Sequence, residues 1–347
     1  MTEHTPLAVL GCGAIADLSY FPALSAKPAW RAATWLVEPS PERGRAAAAK
    51  FGFPAEQVVP DLSALPGSVR AAVNATPSHL HRATTLALIE RGIGVLVEKP
   101  FAENAADARA MVQAARGRCP LAVNQFRRLG PSNALAREII RSGELGEIRS
   151  VSWREGHKFD WPTASGFYFR RPWNGRPRGV LLDIGVHALD LLSWWLGGPI
   201  AVGGATTDGA GGPEAVVCAD LTTGAAAIEL RLSYLGRLEN RFVVEGSAGA
   251  IRGSTADYDR LERRRGDGPW RAVRARGTTD KVAIAARLID NLVAAVEGRE
   301  APLIPAESAL ANLDLIDRLY AVAEPALPRC YAGWGPPAAA VPEQRVA

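Results

Sequence analysis

The chain has 347 residues, about twice the usual length of one domain, so we expect two domains. Its residues are 48% hydrophobic and 22% charged, which is typical of a globular protein with a sizeable core. The formal net charge is +4, but the basic residues are dispersed and form no basic stripe interleaved with aromatics. We therefore expect no nucleic-acid partner.

Targeting and membrane signals are not visible in the sequence. No apolar run reaches about 18 residues, so we expect no membrane-spanning helix and no membrane partner. The N-terminus lacks the basic start and the long apolar stretch of a secretory signal, and we expect a cytoplasmic protein. The cysteines at positions 12, 119, 218 and 330 form no C-x-x-C pair, so we expect no metal site and no disulfide framework.

Strand-like and helix-like stretches alternate over the first 124 residues. We predict apolar strands at residues 7–10, 32–37, 69–74, 93–97 and 121–123, and helices at residues 14–26, 41–51, 79–91 and 105–115. Short apolar strands that alternate with helices predict a parallel sheet covered on both faces. The fold class is therefore α/β, with a doubly wound parallel sheet in a first domain at residues 1–124.

From residue 125 the pattern changes. Strands at residues 148–153, 215–221, 225–232, 240–245 and 250–253 are joined by glycine turns, with helices at 132–142, 186–196, 284–296 and 308–323. An aromatic stretch rich in proline and glycine at residues 161–179 predicts a long loop. We predict a mainly antiparallel sheet in a second domain at residues 125–330, followed by a loosely ordered tail at residues 331–347.

A glycine turn follows the first strand and opens the first helix. Residues 11–16 read G-C-G-A-I-A, which matches the pattern G-x-G-x-x-A. In that pattern the first glycine permits a tight turn, the second lets the backbone approach a pyrophosphate, and the helix N-terminus provides amide donors. An ordinary strand–helix turn is the alternative. The motif predicts dinucleotide binding through Gly11, Gly13, Ala14 and Ile15.

Glu38 ends the second predicted strand. An acidic side chain there can accept hydrogen bonds from the ribose hydroxyls of NAD and would repel the 2′-phosphate of NADP. Arg43, in the helix that follows, would weaken this preference. Glu38 as a surface turn residue is the alternative. We expect NAD as the cofactor, with NADP as the second choice.

The chain has only five lysines and five histidines, so each one inside a motif is informative. Lys99 follows the fourth strand in the motif Glu-Lys-Pro at residues 98–100. Because ligands sit at the carboxyl ends of strands in such sheets, Lys99 would face the reacting end of the cofactor. There a lysine can donate to a substrate oxygen or relay a proton. An exposed Glu98–Lys99 ion pair is the alternative.

A second motif, D-I-G-V-H-A-L-D, occupies residues 183–190. Its residues Asp183, His187 and Asp190 lie at spacings of four and three, so one helical face carries all three. A capping Asp183 with a core histidine is the alternative interpretation. A metal site is another, but one histidine and two aspartates without an H-E-x-x-H pattern give it little support.

Taken together, these motifs and N-A-T-P-S-H-L-H at residues 74–81 resemble those of the Gfo/Idh/MocA family, the group of glucose-fructose oxidoreductase and inositol dehydrogenase. The resemblance covers about residues 6–325. It implies an N-terminal Rossmann domain and a C-terminal α/β domain with a large open, mainly antiparallel sheet. In this family that sheet often carries subunit contacts, so the resemblance also implies a homodimer or homotetramer.

The resemblance further implies the catalytic residues Lys99, Asp183 and His187. His187 would be the general base in alcohol oxidation and the general acid in ketone reduction. Asp183 would orient and charge-couple His187, and Lys99 would stabilise the developing alkoxide. All three would also contact the substrate.

Other predicted contacts follow from the same comparison. The cofactor would also meet the residues that border it, and the substrate would meet residues of the second domain. The predicted cofactor contacts are Thr76, Pro77, His81, Glu98, Lys99 and Arg128. The predicted further substrate contact from the resemblance is Arg127. His157 and Tyr168 are predicted substrate contacts for a different reason, together with the pocket candidates Trp173 and Tyr234: sugar-binding pockets often stack aromatic side chains. Simple packing within loops is the alternative for these four residues.

The chain departs from the family where many members have three glycines before the D-x-G-x-H motif. Here Arg176 and Arg178 flank Pro177. These arginines indicate either an anionic group on the substrate, such as a phosphate, nucleotide or carboxylate, or simply a solvent-facing loop. We expect an NAD(P)-dependent oxidoreductase acting on a sugar, sugar derivative or cyclitol. NAD-dependent glycoside hydrolysis and a non-catalytic, cofactor-binding regulatory protein are the competing interpretations.

Overall fold

The computed structural model describes residues 5–159, 179–209 and 213–325, together with the backbone at 172–173 and 176–177. The first sheet has six parallel strands in the order β3-β2-β1-β4-β5-β6. This is the order of a doubly wound nucleotide-binding sheet. The strands are β1 Leu7–Leu10, β2 Thr34–Val37, β3 Val58–Val59, β4 Ala71–Asn74, β5 Gly94–Val97 and β6 Leu121–Val123.

Helices cover the first sheet and connect its strands. Each of β1, β4 and β5 is buried along its full length, which is why these strands are apolar at nearly every position rather than at alternate ones. The helices are α1 Phe21–Ser25, α2 Pro28–Ala33, α3 Pro41–Phe51, α4 Ser78–Glu90 and α5 Ala105–Ala115.

The second sheet has nine strands in the order β16-β15-β14-β13-β7-β12-β11-β10-β17. Most neighbours are antiparallel, but β7 pairs with β12 and β10 pairs with β17 in parallel. The strands are β7 Ile148–Gly156, β10 Ala201–Thr207, β11 Val216–Thr223, β12 Ala226–Ser233, β13 Arg241–Gly246, β14 Gly249–Ser254, β15 Arg260–Arg265, β16 Arg271–Arg274 and β17 Ala323–Pro325. A short hairpin, β8 Pro172–Trp173 with β9 Arg176–Pro177, lies outside it.

Among the described residues after position 124, four further helices occur: α6 Pro131–Arg141, α7 Val186–Leu196, α8 Lys281–Val296 and α9 Ala306–Val322. Among them α8 packs against the first sheet. Its Ile284, Leu288 and Leu292 are buried in one core cluster with Leu7 and Val9 of β1. A division of the chain at residue 124 therefore does not separate the two packing units, although the domain boundary itself stays a prediction.

The predicted α/β class is confirmed, with a parallel Rossmann-like sheet followed by a mainly antiparallel one. Some local features differ from the predictions. The helix predicted at residues 14–26 contains a π-helical turn at Ala16–Tyr20 before α1, and a second π turn at Leu181–Gly185 precedes α7. Such turns often occur at functional sites, because the extra residue reorients the side chains around it.

Four strands of the second sheet, β10, β15, β16 and β17, were not predicted, and neither was β3 of the first sheet. The arginine-rich β15 has only Leu261 fully buried, and most of its charged side chains form ion pairs, among them Arg263 with Glu144 and Arg264 with Glu245. Without these partners the sequence of β15 indicates only a basic run. Over the described parts of the chain, no helix is long and apolar enough to cross a membrane.

Candidate active site

The glycine turn has the geometry that a pyrophosphate requires. Gly11 has φ +89°, and a Cβ on it would lie 2.8 Å from the carbonyl oxygen of Ala75. Gly13 faces open space, because a Cβ on it would have no described neighbour within 4 Å. Only glycine fits the first position, and the second leaves room for a ligand to approach the backbone. The turn therefore fits a dinucleotide.

Glu38 is a buried carboxylate, only 4% exposed, rather than a surface turn residue. Its Oε2 accepts a hydrogen bond from the backbone N–H of Cys12 at 2.9 Å. Its Oε1 accepts from the N–H of Ser40 at 3.0 Å and from Nη2 of Arg43 at 2.9 Å. Burial, reinforced by the negative charge of Glu38, raises the pKa of the Cys12 thiol to about 12. Glu38 thus lies against the glycine turn, which is the position needed for its carboxylate to contact the ribose of a dinucleotide.

His81 connects the loop after β4 to the loop after β5. Its Nδ1 lies 2.9 Å from the carbonyl oxygen of Pro100, and its Nε2 lies 2.8 Å from that of Thr76. Burial lowers the pKa of His81 to about 4, against the opposing effect of these carbonyl oxygens. The contact fixes Thr76 and Pro77 at the cofactor edge of the sheet, so His81 acts there through the backbone.

Glu98 is the centre of a buried network beneath Lys99. Its Oε1 accepts from the hydroxyl of Tyr20 at 2.6 Å and from Nδ2 of Asn124 at 2.6 Å, while Oε2 accepts from the N–H of Lys99 at 3.0 Å. Burial raises the pKa of the Glu98 carboxyl, although these donors oppose the rise. The network connects the first π turn, β5 and β6. An exposed Glu98–Lys99 ion pair is therefore excluded.

Lys99 and Asp183 meet between the two halves of the chain. Nζ of Lys99 lies 2.6 Å from Oδ1 of Asp183, and their side chains are 22% and 15% exposed. The hydroxyl of Tyr234 donates to Oδ2 of the same carboxylate. Burial alone would raise the pKa of Asp183, but the charge of Lys99 and the two hydrogen bonds outweigh it and lower that pKa. Asp183 is thus ionised, and its charge holds Lys99 in place.

His187 has a different partner from the one expected. Its Nδ1 lies 3.2 Å from Oε1 of Gln125, and the ring of Phe126 packs edge-on with a centroid distance of 5.3 Å. Asp183 is engaged with Lys99 and Tyr234. The expectation that Asp183 orients His187 stays a prediction. The π turn at Leu181–Gly185 contains Asp183 and breaks the regular helical spacing between the two residues.

The pKa of His187 lies well below its ordinary value. Burial is the largest cause, and the positive charges of Arg127, Lys99 and Lys281 act in the same direction. His187 is consequently neutral at neutral pH and able to accept a proton. Lys281, at the start of α8, thus lies close enough to influence the site although its side chain is exposed.

Arg127 and Arg128 both form buried, two-pronged ion pairs. Arg127 lies 2.9 and 2.7 Å from the carboxylate oxygens of Glu155, and Arg128 lies 2.7 and 2.6 Å from those of Asp190. These contacts are structural. The predicted substrate contact of Arg127 and the predicted cofactor contact of Arg128 remain predictions. Nε of Arg127 is buried and has no hydrogen-bond partner among the described residues.

His157 lies beside the Lys99–Asp183 pair. Its ring packs edge-on against Tyr234 with a centroid distance of 5.8 Å, and its charge helps to lower the pKa of Asp183 after the larger effects of burial, Lys99 and Tyr234. This position agrees with a substrate contact. Tyr168 lies outside the described residues, as do the side chains of Arg176 and Arg178.

Motif matching missed Gln125, Tyr20 and Asn124. Gln125 and Asn124 follow β6, and the carboxyl end of a parallel strand is where polar residues face a ligand. Their position directly after a strand could therefore have identified Asn124 and Gln125 from the sequence. Tyr20 had no such signal, because its inward direction depends on the π turn that ends at this residue.

Comparisons with known proteins place both halves of the chain in one family. Residues 6–124 match the model described as "Oxidoreductase family, NAD-binding Rossmann fold". Residues 134–252 match the model of the GFO/IDH/MocA C-terminal domain.

Curated relatives are similar over part of their length. The dTDP-3,4-didehydro-2,6-dideoxy-alpha-D-glucose 3-reductase of Streptomyces violaceoruber is 33% identical over 57% of this chain and 56% of that protein. Inositol 2-dehydrogenase 1 of Saccharopolyspora erythraea is 39% identical over 46% of this chain and 44% of that protein. The chain thus matches about half the length of these relatives.

Solved structures share the fold over nearly the whole chain. KijD10, a 3-ketoreductase from Actinomadura kijaniata solved with NADP and TDP-benzene, superposes with a TM-score of 0.75 at 23% identity, covering 92% of this chain and 98% of that one. A levoglucosan dehydrogenase solved with NADH and levoglucosan gives 0.76 at 21% identity, covering 91% and 96%. With both family models matched and this fold shared, the chain belongs to the GFO/IDH/MocA family of oxidoreductases.

Proposed function

We propose that this protein is an NAD(P)-dependent oxidoreductase that interconverts an alcohol and a ketone on a sugar, a sugar derivative or a cyclitol. The observation that carries the proposal is the 2.6 Å contact between Lys99 and Asp183 at the carboxyl edge of the nucleotide-binding sheet, with a neutral His187 in the same cluster. A cation, a carboxylate and a neutral imidazole are the groups that proton transfer at a carbinol oxygen needs.

The residues present fit a nicotinamide dinucleotide. The turn at Gly11 and Gly13 would hold the pyrophosphate, and Glu38 would hold the adenosine ribose. Lys99 follows β5 at the same edge of the sheet, where the nicotinamide end of the cofactor would lie. The bound nicotinamide supplies the hydride acceptor or donor. All proton chemistry is left to the side chains of the chain.

The three catalytic side chains divide that work. In alcohol oxidation, neutral His187 takes the hydroxyl proton as the hydride leaves the carbon, and in ketone reduction the imidazolium returns the proton. Lys99 donates a hydrogen bond to the oxygen and stabilises its developing negative charge. Asp183 holds the ammonium group of Lys99 in place through their opposite charges.

The substrate class is supported by the kinds of molecule that the relatives' names describe: a deoxysugar nucleotide, an inositol and an anhydrosugar. They share an oxygenated six-membered ring with a carbon that is oxidised or reduced. The aromatic pair of His157 and Tyr234 beside Asp183 supports such a ring as ligand, since sugar rings pack against aromatic faces.

The test is a substrate screen. Free sugars, inositols and nucleotide-linked keto-sugars are offered with NAD⁺ or NADH, and with NADP⁺ or NADPH, while the absorbance of the reduced nicotinamide is followed. Stoichiometric change in that absorbance supports the proposal. Cleavage of a glycoside without net NADH formation would favour the hydrolytic mechanism instead. Cofactor binding without turnover of any compound would favour a regulatory protein.

We also propose a homodimer or homotetramer in the cytoplasm. The proposal rests on the family resemblance and on an open face of the second sheet. This face includes Ser150, Ser152 and Glu229 around an open groove of about 460 Å³. The described cysteines, Cys12, Cys119 and Cys218, form no disulfide with one another, which agrees with a reducing compartment.

A further inference from the structure

Gln125 is the hydrogen-bond partner of His187 in this structure. It follows β6 by two residues, at the same carboxyl edge of the sheet as Lys99. Its Oε1 lies 3.2 Å from Nδ1 of His187, and the side chains of both residues are buried, at 1% and 4% exposure. An amide oxygen can only accept a hydrogen bond. The neutral ring of His187 therefore carries its proton on Nδ1.

The amide nitrogen of Gln125, Nε2, is the second polar atom of this side chain. It is buried and has no hydrogen-bond partner among the residues that the structure describes. A buried amide nitrogen without an acceptor costs about 1–3 kcal/mol, so such groups are rare unless a ligand completes them. Asn124, the neighbouring amide, donates instead to Glu98 and to Tyr20. Gln125 thus combines the contact to His187 with an unpartnered donor, whereas the atom of Asn124 that lacks a described partner is an acceptor, Oδ1.

We propose that Gln125 is the positioning residue of His187, and that its Nε2 donates to an oxygen of the bound nicotinamide cofactor or of the substrate. The proposal rests on the proposed function, since it gives His187 the role of base. Because the Nδ1–H of His187 is directed at Gln125, the lone pair on Nε2 of His187 accepts the hydroxyl proton of the substrate. One side chain then fixes the tautomer of the base and contacts the ligand beside it.

The surroundings of His187 explain why a neutral amide is suited to this task. The groups around the ring are the cations Arg127, Lys99 and Lys281, together with the ring of Phe126. Asp183, on the preceding π turn, is engaged with Lys99. A carboxylate in place of Gln125 would favour the imidazolium and raise the pKa of His187, whereas the amide orients the ring without adding charge.

The first test reads the tautomer of His187 without a substrate. Protein labelled with ¹⁵N-histidine contains five histidines, and the signal of His187 is assigned by its loss in His187→Gln. Long-range ¹H–¹⁵N spectra should show the Nδ1–H tautomer in the wild type and in Gln125→Glu, which keeps an acceptor. Gln125→Leu should shift the population towards Nε2–H.

Asn312→Leu is the matched control for this experiment. Asn312 is also a buried amide with one unpartnered atom among the described residues, and it donates at 2.6 Å to the carbonyl oxygen of Val186, the residue before His187. Its loss should weaken the packing of α7 but leave the tautomer of His187 unchanged. A wild-type ring in the Nε2–H form would overturn the proposal. A Gln125→Leu ring with the wild-type tautomer would also overturn it.

The second test concerns the unpartnered donor Nε2 of Gln125. Gln125→Glu replaces this nitrogen with an oxygen that cannot donate when ionised, and should weaken one ligand by about tenfold. Fluorescence titration with NADH detects a contact to the cofactor, and the KM of the compound found in the screen detects a contact to the substrate. Unchanged values of both, measured on folded protein, would overturn the ligand contact. The pH profile of kcat/KM should also shift upward on its acidic side, because the new carboxylate raises the pKa of His187.

This design separates the inference from the proposed function. The tautomer of His187 is measured on the protein alone. The predicted Nδ1–H form can therefore be absent from a protein that turns over a substrate, or present in a protein that turns over none.

Discussion

Asp183 accepts hydrogen bonds from both Lys99 and Tyr234, one on each carboxylate oxygen. Lys99 comes from the edge of the parallel sheet, Asp183 from the π turn before α7, and Tyr234 from the end of β12. The three residues connect the nucleotide-binding half of the chain to the sheet of the second half. The carboxylate is thereby fixed in position and ionised, and its charge keeps the ammonium group of Lys99 in the site.

Removal of the Tyr234 hydroxyl should alter the pH dependence of activity. In Tyr234→Phe one donor to Asp183 is lost, so the lowered pKa of Asp183 moves up towards its ordinary value. The acidic side of the kcat/KM profile should therefore shift to higher pH, while the profile at alkaline pH keeps its shape. Tyr320→Phe is the control, since its hydroxyl is bonded at 2.7 Å to a different buried carboxylate, Glu214. Identical profiles for both variants would contradict this role of Tyr234.

Glu38 should decide between the two cofactors. We predict that NADH binds more tightly than NADPH, and that Glu38→Ser weakens NADH binding about tenfold while NADPH binding improves. The ribose then loses an acceptor, and Arg43 is released from its 2.9 Å contact with Glu38 to meet a phosphate. Fluorescence titration of both cofactors measures the change. Glu42→Gln, an exposed residue in the same helix, should leave both affinities unaltered. Tighter binding of NADPH by the wild type would refute the assignment of Glu38.

Arg128 should prove more important for stability than an exposed arginine. Arg128→Met leaves the buried Asp190 without its partner and should lower the free energy of unfolding by about 3–5 kcal/mol. Arg109→Met removes an exposed pair with Asp314 and should cost less than about 1 kcal/mol. Urea unfolding compares the two. NADH titration of the folded variants also tests the predicted cofactor contact of Arg128. If Arg128 contacts the cofactor, NADH binds more weakly to Arg128→Met but not to Arg109→Met.

His81 should make the protein less stable in mild acid. Its pKa is about 4 in the folded protein and near its ordinary value of about 6.5 in the unfolded chain, so the unfolded chain binds the additional proton between these values. The free energy of unfolding should consequently fall by about 3 kcal/mol as the pH drops from about 6.5 to 4. In His81→Phe this component of the pH dependence should be absent. Equal slopes for the two proteins in urea unfolding would show that His81 is not responsible.

Much of the fold and part of the site are readable from the sequence. The apolar strands β1, β4 and β5 predict a parallel sheet, because only a sheet covered on both faces buries every position of a strand. The G-x-G-x-x-A motif predicts the tight turn that the structure shows. Gly11 has a positive φ there, and the nearby Ala75 carbonyl leaves no room for a side chain. Lys99 could be placed at the ligand edge because it closely follows a central strand.

The rest depends on contacts between distant segments. No local pattern shows that α8 returns to the first sheet, since its apolar residues would suit either half of the chain. Gln125 as the hydrogen-bond partner of His187 was not predicted, because the family resemblance points to Asp183, and a π turn lies between Asp183 and the regular helix. The buried partners of Arg127 and Arg128 come from β7 and α7, and only the folded chain brings them together.

The central claim is that Lys99 and His187 perform proton chemistry on a substrate oxygen beside the bound cofactor. The most direct measurement is turnover by Lys99→Ala and His187→Ala with NADH affinity determined on the same samples, and with Lys50→Ala, which breaks an exposed pair with Asp17, as control. We predict that turnover falls by about 10²–10⁴-fold in the first two variants while NADH still binds. Turnover at the wild-type rate with cofactor bound would contradict the account.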